Sequence, residues 1–362
     1  MLACTVIVGC FAFSARGYRG PNSDHFDGKQ FFNQSPDPTT QHGFFDFLKW
    51  VTNRNPGEWE EWVESECGPK PPERVAGEEF RVTFINHATF LIQMDGINIL
   101  TDPIWSERTS PVSFTGPKRV RIPGIRFEDL PPIDVVVVSH NHYDHLDLPT
   151  LKRLSSEHNP SIYVGLGNKR LLEKSGITQV SELDWWQEIF LSDALRLTCV
   201  PAQHFSSRGL FDRNKKLWAG FVFEGLAGPV YFAGDTGLGP QFRQIADRFG
   251  EIRLALLPIG AFLPRWFMSP THLSPSDALE AHFILGAHTS VAMHFGTFQL
   301  GDDGQYEAVD LLSATIAETS MEHTEFLVLD SGEGRDFLPV TDCTQAKSER
   351  RNTKSETNSN IK

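Results

Sequence analysis

Three imidazoles and one carboxylate fall within six residues at His140, His142, Asp144 and His145, in the stretch Ser139-His140-Asn141-His142-Tyr143-Asp144-His145. These are metal-ligand types, and they suit zinc in particular. One tetrahedral ion with a position left for water has no room for all four. Neighbouring side chains in the stretch also point in different directions. Two ions are therefore the more natural reading, with His140 and His142 on one and Asp144 and His145 on the other. Each ion then needs partners from later in the chain. Gln203-His204, Gly234-Asp235-Thr236-Gly237 and Met293-His294-Phe295-Gly296 supply them. A carboxylate has two oxygens, so Asp235 can bridge. Singly, each has a plainer explanation as a cap, a turn residue or a buried histidine.

The elements that must hold these residues share one pattern. Asp134-Val135-Val136-Val137-Val138 directly precedes the first motif, and four consecutive valines read as a parallel strand buried on both faces. Open α/β sheets place their ligands just beyond the carboxyl ends of such strands. His204, Asp235 and His294 likewise follow short apolar runs. Upstream, 80–85, 89–94 and 97–103 read as a β-meander with a tight turn at Asp95-Gly96. Further strands are expected at 161–164, 195–200, 219–224, 230–233, 254–258, 290–293 and 325–328. Helices are expected from Pro149 onward and at 169–175, 239–249, 274–285 and 306–319. This order predicts two sheets with helices outside, a four-layered α/β arrangement.

A net charge of −13 disfavours wholesale nucleic-acid binding. Five scattered cysteines make neither a disulfide framework nor a CxxC zinc site. No apolar run is long enough to span a membrane, and there is no G-x-S-x-G elbow to suggest a serine nucleophile. Residues 1–35 read as a lead segment. Its apolar start contains Ile7-Val8-Gly9-Cys10, which resembles a bacterial lipobox but lacks a basic n-region. This points to a membrane-associated envelope lipoprotein, with a disordered or strand-forming N-terminus and a cytoplasmic location as the alternative. Residues 36–78 read as a helical N-terminal extension, with helices at 44–49 and 58–66 and packing roles for Trp50, Trp59 and Trp62. The catalytic domain is expected at 79–342, and a polar, disordered tail at 343–362.

His87 and Asp102 lie at strand ends beside the first motif. Asp102 is expected to brace a ligand imidazole from behind, the plainer reading being a turn aspartate before Pro103. Asp147 poses the same choice. His25 and His42 read as surface residues, and His158, His282, His288 and His323 as structural or exposed. Residues 260–268 are expected to form a loop exposing Phe262, Leu263, Trp266, Phe267 and Met268. Such a loop would line an acyl-chain groove or rest on a membrane, or simply pack. Arg108, Lys118, Arg119 and Arg121 form a basic island that meets lipid phosphates or solvent.

Residues 139–145 with His204, Asp235 and His294 match the binuclear pattern of the metallo-β-lactamase fold in kind and order. The chain thus resembles that family, which implies a four-layered αββα sandwich. Leu100-Thr101-Asp102-Pro103-Ile104-Trp105-Ser106, Gly116-Pro117-Lys118-Arg119, Leu183-Asp184-Trp185-Trp186, Pro258-Ile259-Gly260-Ala261, Pro264-Arg265-Trp266-Phe267-Met268 and His294-Phe295-Gly296-Thr297-Phe298 narrow the match. They resemble the N-acyl-phosphatidylethanolamine-hydrolysing phospholipase D branch, from about Tyr18 to about Leu312.

The resemblance implies two zinc ions, one on His140, His142 and His204, the other on Asp144, His145 and His294, with Asp235 shared. His272 matches a family histidine near the substrate phosphate, so Asp144, Asp235 and His272 carry the catalytic expectation. A hydroxide held between the ions would attack phosphorus. N-acyl-phosphatidylethanolamine would yield phosphatidic acid and an N-acylethanolamine, at a membrane surface, and a homodimer is left open. A lactonase or another phosphodiesterase on the same fold remains an alternative, because fold and metals do not set substrate. A membrane-anchored, non-catalytic metal-binding envelope protein is the alternative of another class, and a di-iron redox protein a third.

Overall fold

The computed structural model describes residues 17–34, 42–209 and 211–337. The lipobox at Cys10 and the polar tail lie outside the described residues. Two seven-stranded sheets make up the centre. In chain order the first contains β1 (Phe80–Asn86), β2 (Thr89–Met94), β3 (Ile97–Thr101), β4 (Val135–Val138), β5 (Ser161–Gly165) and β6 (Val180–Leu183). The second contains β7 (Glu188–Phe190), β8 (Arg196–Val200), β9 (Gly220–Gly225), β10 (Gly228–Phe232), β11 (Leu254–Pro258), β12 (Thr289–Met293) and β13 (Glu325–Leu327). The chain then returns to the first sheet, where β14 (Gly334–Phe337) pairs antiparallel with β1. β1 to β3 form the expected antiparallel meander, and β3 to β6 run parallel. In the second sheet β10 to β13 run parallel.

The valine strand shows why the layers stack. Val135 and Val137 face the core between the sheets, which also holds Phe90, Leu197 and Phe223. Val136 and Val138 face the opposite way, among Leu151, Leu154, Leu171 and Leu172. Those leucines belong to α2 (Leu148–Glu157) and α3 (Lys169–Lys174), the helical layer outside the first sheet. Pro149 sits in the first turn of α2, where its missing N–H costs nothing. α4 (Gln241–Phe249), α6 (Pro275–Ile284) and α7 (Glu307–Ala317) cover the second sheet. Ser274 and Asp277 cap α6 reciprocally, satisfying two of its free N–H groups.

The expected second helix at 58–66 does not form. This stretch is extended, and its backbone bonds go to the body instead. Gly57 N–H donates to the Asp302 carbonyl and Val63 N–H to the Val120 carbonyl, at 2.7 and 2.6 Å. A helix here would also bring Glu58, Glu60, Glu61 and Glu64 together at three- and four-residue spacings, where like charges repel. Trp59 is half-buried, with its indole on the Asp303 carbonyl, but Trp62 stands exposed. β6, β7 and β14 were not expected from the sequence. Each is short and charged, and pairing with a neighbour rather than periodicity makes it a strand.

The surface reading of His25 is also corrected. Residues 17–34 form a strap across the 205–218 loop, with Tyr18 N–H on the Lys215 carbonyl and Phe31 N–H on the Asn214 carbonyl. Phe26 and Phe31 are buried beneath it. His25 is buried, stacks on Trp185 at 4.4 Å between ring centroids, and bonds Asp24 and Asp184 at 2.6 and 2.8 Å. Burial pulls its pKa down, but the two carboxylates outweigh that and raise it.

Candidate metal centre

Every candidate ligand lies beyond the carboxyl end of a strand. β4 leads into His140 to His145, β8 into His204, β10 into Asp235 and β12 into His294. The turn after β10 depends on Gly234 at φ 59, where an added Cβ would sit 2.5 Å from the Ser139 Cβ. Only glycine lets the two loops approach this closely.

Two groups of donor atoms result. His140 Nε2 lies 2.8 Å from His142 Nδ1, and His204 Nε2 is 3.3 Å from the same atom. In the second group, Asp144 Oδ2 is 3.2 Å from His145 Nε2 and 3.4 Å from His294 Nε2. Asp235 Oδ2 lies between them, at 3.3 Å from His145 Nε2, 3.2 Å from His294 Nε2, 3.8 Å from His204 Nε2 and 4.0 Å from His140 Nε2. All seven expected ligands thus converge on one small region. His87 joins the second group, with Nε2 3.0 Å from Asp144 Oδ2. His272 Nδ1 faces Asp235 Oδ2 at 3.9 Å.

The charge states follow from burial and neighbours. Burial pulls His140, His142 and His204 down, His142 to about 3, so all three are neutral at neutral pH and carry free lone pairs. Neutral imidazole is the form a cation requires. Burial also lowers His272, to about 4. For His145 and His294 the nearby carboxylates outweigh burial; His145 is raised and His294 stands at about 9. Burial would raise Asp144 and Asp235, yet the surrounding imidazoles hold both well below the usual carboxylate range.

His145 Nε2, His294 Nε2, Asp235 Oδ1 and His272 Nδ1 are buried without a hydrogen-bond partner. Each such atom costs about 1–3 kcal/mol when left unsatisfied. Several of them facing one region fit divalent cations far better than a packed core.

Asp102 lies behind this cluster. Its carboxylate accepts from His145 Nδ1 at 2.6 Å, Ser139 N–H at 2.7 Å and Ser139 Oγ–H at 2.5 Å. Asp147 does not reach an imidazole. It accepts from Ser106 Oγ and Thr150 Oγ1, tying the 102–106 loop to the start of α2.

A cavity of about 510 Å³ opens over the cluster. Its floor is His142, Asp144, Asp235, His272 and His294, and its walls include Phe47, Trp50, Phe205, Phe267, Met268 and Leu300. Phe47 and Trp50 come from α1 (Phe44–Thr52), and Phe267 and Met268 from the short helix α5 (Arg265–Met268). Phe267 stacks on Trp50 at 5.0 Å and on His42 at 4.9 Å. His42 is thus a pocket residue rather than a surface one. Part of the expected aromatic loop is also corrected: Phe262 and Met268 are buried, while Trp266 is exposed. Arg119 leaves the basic island, because it is buried under Phe298 and donates to the carbonyls of Ser106 and Ile104. Burial lowers its pKa to about 10.

His158, His282 and His288 stand apart from the cluster, bonded to the Ile133 N–H, Ser290 and Glu251 respectively; His323 is exposed. Sequence reasoning missed Arg208 and Asn33. Arg208 Nη1 donates to the carbonyls of Asn141 and Leu146 at 2.9 and 2.8 Å, and its guanidinium stacks on Tyr143. Asn33 Nδ2 donates to the His204 carbonyl at 3.0 Å, while its Oδ1 accepts from His204 N–H at 3.1 Å and Trp218 Nε1–H at 3.0 Å. The arginine could have been suspected from its place four residues after His204. Nothing local marked the asparagine.

A layered α/β sandwich that gathers histidines and aspartates at its strand ends defines a metal-dependent hydrolase. Residues 97–295 match the Beta-lactamase superfamily domain. The chain belongs to that superfamily, in the branch that contains N-acyl-phosphatidylethanolamine-hydrolysing phospholipases D. It is 40 % identical over 264 residues to phospholipase D 1 of that type from Caenorhabditis elegans, covering 69 % of this chain and 74 % of the worm protein. The mitochondrial enzyme of the same name from Saccharomyces cerevisiae is 37 % identical over 218 residues, 59 % of this chain and 46 % of the yeast protein. Among solved structures, an isothiocyanate hydrolase from Delia radicum gut bacteria superimposes with a TM-score of 0.57 at 22 % identity, covering 71 % of this chain and 99 % of that one. That likeness concerns the fold alone.

Proposed function

We propose that the chain is a dizinc phosphodiesterase of phospholipase D type acting on N-acylated phosphatidylethanolamine. Three neutral imidazoles, His140, His142 and His204, would hold one ion. Asp144, His145 and His294 would hold the other, with Asp235 shared between them. Bound zinc supplies Lewis acidity toward a phosphoryl oxygen and makes water a nucleophile at neutral pH. Water's oxygen would end on phosphatidic acid, and the P–O bond to the N-acylethanolamine would break.

The protein's own residues orient this reaction. His272, neutral and with an unpartnered Nδ1 facing Asp235, would hold a hydrogen bond to the phosphoryl group or the departing oxygen. Phe47, Trp50, Phe205 and Phe267 exclude water and accept acyl chain. Outside the cavity, Phe45, Leu48 and Val51 of α1 and Trp266 beside it are exposed. They form an apolar rim suited to a membrane surface. No helix among the described residues is long and apolar enough to cross a membrane, so this reading has the rim rest on the lipid.

The single observation that carries the proposal is Asp235 Oδ2, placed among histidines of both donor groups beneath an apolar cavity. The test is release of N-acylethanolamine from labelled vesicles by the zinc-loaded protein, beside lactone hydrolysis. The expected result is lipid turnover, reduced at least a hundredfold in Asp235→Asn with the fold kept. Turnover of lactones alone would sink the proposal.

A further inference from the structure

The loop after His204 brings a second chemistry to the cavity. Arg213 lines it together with Phe205, Ser207 and Gly209, and no other arginine or lysine does so among the described residues. Its guanidinium lies over the Phe205 ring, 4.3 Å from the centroid. The same ring packs against His142 at 4.5 Å and His204 at 4.8 Å. The Phe205 ring thus contacts both the Arg213 guanidinium and two of the candidate ligand histidines. Among the described residues no carboxylate forms an ion pair with it, although Asp and Glu outnumber Lys and Arg by 46 to 33 in the whole chain. The nearest acid in sequence, Asp212, is committed to Lys216 Nζ at 3.3 Å and to the N–H groups of Arg208 and Gly209. Arg213 itself is exposed, so it stands at the rim of the cavity with its guanidinium open to an incoming anion.

The backbone beneath Arg213 is pinned. Gln30 Nε2 donates to its carbonyl at 2.9 Å, and Phe31 N–H donates to the next one, on Asn214, at 2.8 Å. A guanidinium that is fixed at its base, stacked on an aromatic face and left without an acid is a prepared anion receptor. Its planar fork suits phosphoryl oxygens.

We propose that Arg213 is the anion-reading residue of this pocket, selecting substrates that carry a negatively charged phosphoryl group beside the scissile bond. The proposal rests on the phosphodiester reading above and deepens it. A neutral lactone offers Arg213 nothing, whereas a phosphodiester brings one charge wherever it binds. The contact is assigned to the substrate's own phosphoryl group rather than to neighbouring anionic headgroups.

The test is equilibrium binding to the zinc-loaded full chain of dibutyl phosphate, a singly charged diester, and tributyl phosphate, its neutral counterpart. Arg213→Gln should weaken dibutyl phosphate roughly ten- to a hundredfold, the range for losing a charge-assisted hydrogen bond. It should leave tributyl phosphate unchanged. Arg213→Lys should recover part of the difference, and the melting temperature should stay put, because Gln30 holds the backbone and not the side chain. Equal loss for both probes would make Arg213 a wall of the cavity and overturn the assignment, as would no loss for either. An effect seen only with anionic vesicles present would move the contact to neighbouring lipids and also overturn it. The two readings fail separately. A wild-type protein that binds dibutyl phosphate through Arg213 but cleaves no phosphodiester sinks the proposed reaction and leaves the anion site standing.

Discussion

Replacing Asp102 by asparagine reverses one hydrogen bond in a fully buried place. Asp102 adopts φ 35, a left-handed conformation that asparagine tolerates about as well as aspartate, so the backbone should not move. The asparagine Oδ1 can still accept from Ser139 N–H, and its amide can donate to Ser139 Oγ. Only the contact with His145 Nδ1, at 2.6 Å in the native chain, becomes donor against donor. Relief requires the tautomer with its proton on Nε2, the atom that faces Asp144 and Asp235 and would hold the ion. A charge-assisted hydrogen bond of this kind contributes about 1.5–3 kcal/mol. At about 1.4 kcal/mol per factor of ten, the ion on His145 should be held roughly ten- to a hundredfold more weakly. Removing a carboxylate whose pKa burial raises offsets part of the loss in overall stability. The assay is metal content per chain across a series of chelator buffers, beside thermal unfolding of the metal-stripped protein. Native retention of both ions in Asp102→Asn would refute the reasoning and leave Asp102 a turn residue. Weakened retention matched by a collapse of the metal-free melting temperature would refute it too.

Two further outcomes follow from the packing and the charge states. Phe267→Ala removes the ring between Trp50 and His42, so the KM for long-acyl substrates should rise about tenfold more than for short-acyl ones, with kcat nearly unchanged. Equal effects on both chain lengths would take Phe267 out of the acyl path. Burial lowers the His282 pKa to about 4, against about 6.5 unfolded, so the unfolded chain binds more protons between those values. Its contribution to stability is present above pH 6.5 and is lost as pH falls toward 4, by up to about 1.4 kcal/mol per pH unit. His282→Gln should flatten that part of the profile, read from urea midpoints at pH 4.5 and 7.5; a slope identical to that of the native chain would contradict it.

The seven residues of the donor cluster were legible because each combines a ligand type with a local signal, an apolar strand ending just before it. The same signal located the parallel strands and hence the layers. What escaped had no local signature. Asn33 reads as one more polar residue in a lead segment, and its role exists only because the strap crosses the 205–218 loop. Glu58–Glu66 carried a helical guess that backbone bonds to Asp302 and Val120 override. His42 became a pocket residue through contacts with Trp266 and Phe267, more than two hundred positions away. Arg119 showed its charge in the sequence, but not the Phe298 ring that covers it.

The two hydrogen bonds between Asn33 and His204 have a bearing on how this chemistry can be inherited or transplanted. They imitate the pairing of one strand with another, using a side-chain amide in place of a peptide. The superfamily match at 97–295 contains every candidate ligand but not this brace. A graft of those residues into another scaffold would carry the ligands and leave the main chain of one of them unsupported. Keeping the ligand pattern in place therefore calls for a contact from outside residues 97–295 to hold the main chain of His204.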